Sequence, residues 1–223
     1  MGFLESVAFY NFLRGPMVWL TFIIFILGSI YKIFYLIKLG KEERVIFPFL
    51  SMKATIKSVL HWLIPYGSRN WRLRPFFTIL TSLFHICLIF TPIFLLGHNL
   101  LLYESWGISW WTLPEALADI MSIVVIVGSV LFFLRRIFSP TARFVTTLSD
   151  YIFIGICFFT FLTGFLAHHQ LLLSYRAMLN LHIIFGEIML ICIPFTRLVH
   201  MYYFFLTRAW MGSQFAWWKT KDW

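Results

Sequence analysis

The sequence predicts an all-α integral membrane protein with five transmembrane helices, the N-terminus outside and the C-terminus inside. Three observations predict it. The 223 residues are 61% hydrophobic and 12% charged, with 27 Phe, more apolar surface than a soluble domain of this length can bury. Five apolar stretches approach or exceed the roughly 20 residues that a helix needs to cross a bilayer. The basic residues are concentrated in alternate loops.

The predicted spans are 15–37, 76–102, 115–134, 150–168 and 179–206. Each far exceeds a transmembrane β-strand of about 9–11 residues, so helices are expected. Met1 to Arg14 lacks the basic start, short apolar run and small-residue cleavage site of a signal peptide, so the first span reads as a retained helix. The loop 38–75 carries Lys38, Lys41, Arg44, Lys53, Lys57, Arg69, Arg72 and Arg74. The loop 103–114 has no Lys or Arg. Arg135, Arg136 and Arg143 follow, then Arg176 alone, then Arg208, Lys219 and Lys221 in the tail. This alternation places 38–75 on the cytoplasmic side, and a bacterial or archaeal inner membrane is the expected location. The net charge of +9 sits beside the spans, which argues for a membrane surface and against nucleic acid.

Within the 38–75 loop, Met52, Ile56, Val59, Leu60 and Leu63 share one helical face, with Lys53 and Lys57 largely off it. An interfacial amphipathic helix lying on lipid is expected over 51–64, ended by Pro65 and Gly67. No other domain is apparent, and 1–223 reads as a single membrane domain. Cys87, Cys157 and Cys192 are isolated in apolar sequence, with no C-x-x-C or C-x-x-C-H. That argues against zinc, iron–sulfur or covalently attached c-type haem in this chain.

The chemistry rests on four histidines. His85 and His98 lie in the second span, His182 and His200 in the fifth. A neutral imidazole is one of few side chains that can ligate haem iron inside a membrane. His98 is thirteen steps along the chain from His85, roughly 20 Å of helix, and His200 is eighteen steps from His182, roughly 27 Å. Eighteen steps are five whole turns, so His182 and His200 should share a face. Thirteen steps do not return to one face, and Pro92 is positioned to kink the helix between them. Antiparallel spans pair the ligands by depth, with His98 and His182 at an outer site and His85 and His200 at an inner one. Two b-type haems are the expected cofactors. His168 and His169 are the substitute outer ligands should the His98 geometry fail.

Other residues are candidates around these sites, each with an ordinary structural alternative. Gly97 and Gly186 could make room for a flat porphyrin, and Gly155 and Gly164 for a cofactor or a close helix. Arg72, Arg74 and Arg197 could pair with haem propionates, or simply follow the positive-inside rule. His61, His168, His169 and Glu187 are candidates for proton or quinone contacts, against surface or structural roles. The main alternative to an electron carrier is a noncatalytic membrane anchor, or a small-molecule transporter with structural histidines.

The segment FHICLIFTPIFLLGH and the spacing His182–x17–His200 resemble the gamma, cytochrome b subunit family of respiratory nitrate reductase. That family includes related membrane subunits of sulfate-reducer and heterodisulfide-reductase-like complexes. Twelve residues stand between His85 and His98, more than in the nitrate reductase subunit, which favours a diverged relative. The resemblance implies a dihaem subunit of a respiratory oxidoreductase complex. Its donor or acceptor outside would be quinone, menaquinone or a periplasmic multihaem cytochrome c. Inside, it would meet an iron–sulfur or heterodisulfide-reductase-like subunit, alongside other integral membrane subunits.

Overall fold

A computed structural model describes residues 2–42 and 50–220. Arg44 and Lys221, both used for orientation, lie outside these residues. All regular structure described is helical. Helix α1 is Val7–Glu42, α2 Met52–Leu63, α3 Arg69–Leu73, α4 Pro75–Phe94 and α5 Leu96–Trp106. Then come α6 Glu115–Phe138, α7 Pro140–Phe144, α8 Leu148–His168, α9 Tyr175–Phe195 and α10 His200–Trp217. Among the described residues, five stretches are long and apolar enough to cross a membrane: α1, α4 with α5, α6, α8 and α9. Only 17% to 28% of the most apolar part of each is buried, so their faces require lipid or another membrane protein.

The fifth span differs from expectation. It ends at Phe195 rather than 206, because Pro194 and an extended Thr196 break the helix. His200 is the first residue of α10, so the five-turn argument for its face does not apply.

The chain resolves into two compact units. One comprises the described residues of Met1–Val18 and Leu80–Met189, the other those of Trp19–Ile79 and Leu190–Trp223. In the first, Phe84, Cys87, Val125 and Phe161 form the core. Gly128 makes this possible, since a Cβ there would lie 2.8 Å from the Phe84 ring. Three hydroxyls inside these helices bond the preceding turn: Ser122 donates to the Ala118 carbonyl, Ser129 to Val125 and Thr160 to Ile156. Buried Asp150 accepts from the Thr147 N–H (2.8 Å) and hydroxyl (3.0 Å), capping α8, and lies 3.7 Å from Arg136.

The N-terminus is tied to α9. The fully buried Asn180 donates to the Leu4 carbonyl (2.8 Å), and Ser174 donates to the Glu5 carboxylate (2.6 Å). The Ser174 bond, then the Gly2 N–H, hold the Glu5 pKa below the ordinary carboxylate value. A lowered carboxylate contributes its tether fully above the unfolded-state pKa and loses it as pH falls through the folded value. Hydrogen-exchange protection over residues 2–6 should therefore be present at neutral pH and fade on acidification through the carboxylate range. Glu5→Gln should lack that transition. An unchanged transition in the variant would remove Glu5 as its source.

In the second unit, α2 is the expected amphipathic helix, capped by Ser51 and ended before Pro65. Its small face packs on α10: Ser58 meets Gly212, and Thr55 donates to the Ala209 carbonyl (3.5 Å). Its apolar stripe of Met52, Ile56, Leu60 and Leu63 stays exposed, as an interfacial helix requires. Gly28 receives the Phe195 ring, and Ser29 bonds the Tyr202 hydroxyl at 2.7 Å.

Candidate functional site

The second span is not one helix. Leu95 is extended (φ −71°, ψ 133°), and α5 restarts at Leu96, four residues after Pro92. A break frees backbone carbonyls, and inside a membrane each needs a donor. Three are supplied. The His98 Nδ1 bonds the Pro92 carbonyl at 2.8 Å, the Trp110 indole N–H donates to Ile93 at 2.9 Å, and the Leu113 N–H donates to Phe94 at 2.8 Å. Buried Asn99 clamps the loop by two bonds to the Trp110 backbone, at 2.7 and 3.3 Å. Gly107 ends α5 in the left-handed conformation (φ 68°) that glycine adopts at low cost. The break therefore re-aims His98 and fixes its ring.

His182 meets His98. Their ring centroids are 5.9 Å apart and their planes differ by 11°. His182 is held on α8, where its Nδ1 bonds the Thr160 carbonyl at 2.9 Å. Gly164, one turn on, leaves space for the ring, since a Cβ there would lie 2.8 Å from Cε1 and 3.0 Å from Nδ1. A carbonyl oxygen only accepts, so Nδ1 carries the proton in both rings and each Nε2 keeps its lone pair. One cation shared by both Nε2 atoms through bonds of about 2 Å would set the ring centroids roughly 6 Å apart. The observed centroid separation of 5.9 Å is of that size.

The other two histidines carry the same tie in their own units. The His85 Nδ1 bonds the Thr81 carbonyl at 2.8 Å, beside the Phe84 ring that Gly128 seats. The His200 Nδ1 bonds the Arg197 carbonyl at 2.9 Å, and Arg197 precedes it in a short turn capped by Thr196. His168 and His169 differ, because their Nε2 atoms point at Glu115 (2.9 Å) and Asp119 (3.2 Å). They do not join His182 in place of His98.

Cβ atoms built at Gly97, Gly155 and Gly186 would meet no atom within 4 Å, so these glycines border open space. Glu187 is buried and its Oε1 has no hydrogen-bond partner, and the same holds for the His61 Nε2. The roles of the Thr160 and Pro92 carbonyls as histidine partners are not legible in the sequence. Pro92 as a break was the available signal, and Thr160 had none.

No protein-family model matches the chain, and no solved structure matches it. A Nitratidesulfovibrio vulgaris (strain Hildenborough) protein, named "Protein", is 38% identical over 213 residues, covering 93% of each chain. At that identity over nearly the full length, the chain belongs to one family with this Nitratidesulfovibrio vulgaris protein.

Proposed function

We propose that the chain is a membrane-embedded dihaem cytochrome b subunit that carries electrons across the bilayer. His98 and His182 would hold the outer haem, and His85 and His200 the inner one. The observation that carries this reading is the His98–His182 pair: parallel rings at 5.9 Å, each with Nδ1 on a carbonyl and Nε2 left to ligate. Such a tie fixes ring orientation and raises ligand basicity. The open space at Gly97, Gly155 and Gly186 supports a flat macrocycle beside these helices. Arg197, adjoining the His200 turn, is placed to meet a propionate. When bound, each haem supplies a one-electron redox centre whose potential its axial ligands tune.

The alternating basic loops support an orientation with the N-terminus outside and α2 and α10 on the cytoplasmic side. In that orientation α2 lays its apolar stripe on lipid. The neighbouring basic segment would dock an iron–sulfur or heterodisulfide-reductase-like subunit. Quinone, menaquinone or a periplasmic multihaem cytochrome c would exchange electrons at the opposite end. Buried Glu187, at membrane depth, would accept a proton during quinol oxidation, and His61 would be a counterpart at the cytoplasmic edge.

The test is the reduced-minus-oxidised spectrum of the purified chain with a pyridine-haemochrome assay. The expected result is a b-type signal and close to two haems per chain. A noncatalytic anchor or small-molecule transporter would bind none, and a haem-free chain from a haem-replete host would overturn the proposal.

A further inference from the structure

The start of α6 and the end of α8 bring together four side chains that lie far apart in sequence. Glu115 and Asp119 stand one turn apart on α6. His168 ends α8 and His169 follows it. One ligand atom each from Asp119, His168 and His169 falls within 4.8 Å of the others. The His169 Nε2 is 3.2 Å from the Asp119 Oδ2, and the His168 Nε2 is 2.9 Å from the Glu115 Oε1. The two imidazoles stand edge to face, with centroids 4.9 Å apart. Asp119 is the most shielded of the four, while both histidines and Glu115 remain open to solvent. An incoming ion therefore has an entry path.

We propose that Asp119, His168 and His169 bind one divalent transition-metal ion of the zinc class. Two imidazoles and one carboxylate form a donor set that suits zinc, with bonds of about 2.0–2.2 Å. Donor atoms bonded to one such ion stand roughly 3.3 Å apart, and these three already lie within 4.8 Å of one another. A hard cation such as Mg2+ or Ca2+ is disfavoured, because it takes oxygen ligands and here would meet two nitrogens. Glu115 lies on His168 and is placed to become the fourth ligand or to hold the metal's water. On binding, the ion takes up a lone pair from each ring, and any proton on the liganding nitrogen leaves to solvent. The ion would clasp α6 to α8. His168 lies one turn beyond Gly164, on the stretch of α8 that seats His182.

The experiment is equilibrium dialysis of the full purified chain against Zn2+, with metal analysis of the protein and excess Mg2+ in the buffer. Wild type should retain one equivalent. Asp119→Asn and His169→Gln should each weaken retention by at least about tenfold, while His61→Gln should leave it unchanged. Helix content by circular dichroism checks that each variant is folded. Should one fail that check, the other and His168→Gln carry the comparison. The proposal is overturned if wild type retains no Zn2+, or if folded variants retain as much as wild type. Haem content measured on the same samples keeps the two readings apart, since a haem-free chain that holds Zn2+ would defeat only the cytochrome assignment.

Discussion

Replacing His182 with alanine should remove half of the haem and one of the two b-type spectral components, while the other component persists. The expectation follows from how His182 is held. Its Nδ1 is committed to the Thr160 carbonyl, its plane lies 11° from that of His98, and Gly164 leaves the ring its space. No neighbour is set to replace it, because the Nε2 atoms of His168 and His169 face Glu115 and Asp119. His98→Ala should give the same spectrum, since a bis-imidazole site fails when either ligand goes. A geometric variant makes the claim sharper. Gly164→Val keeps both ligands but drives carbon into Cε1 and Nδ1 of His182, so it should lose or shift the same component. If His182→Ala retains the full haem complement, the pair is a structural contact and the outer site does not exist.

Much of this fold could be read from periodicity and charge. The first four spans and the amphipathic helix follow from apolar run length and from the spacing of Met52, Ile56, Leu60 and Leu63. Two features resisted. The fifth apolar run continues through Leu198 and Val199 to Phe205, and hydropathy alone does not register that Pro194 and Thr196 end the helix within it. The pairing of His98 with His182 needed the break at Leu95, and Pro92 only marked where a break was allowed. Which donors would take the three freed carbonyls depended on the loop folding back so that Asn99 and Trp110 meet. The cluster of Glu115, Asp119, His168 and His169 joins residues about fifty positions apart. Their equal depth on antiparallel spans was visible, but the close contacts between side chains were not.

Gly186→Leu should act in the opposite sense from Gly164→Val on the haem-free chain, and in the same sense on haem. Apart from its chain neighbours and its own helix backbone, no described atom lies within 4 Å of a Cβ at Gly186, so a side chain there starts into open space. Leucine in mid-helix is favoured over glycine by up to about 1 kcal/mol, so the haem-free chain should unfold at the same temperature or higher. The space it fills borders the turn after His182, and a macrocycle held by that histidine needs the same space. Haem content should therefore fall although both ligands and both carbonyl ties are intact. Glycines that served only to let helices approach would behave differently, because their substitution would strain packing and lower stability with or without haem. A Gly186→Leu chain that keeps its full haem complement and spectrum would show that the open space beside α9 is lipid-facing, and the outer macrocycle would have to lie elsewhere around His182.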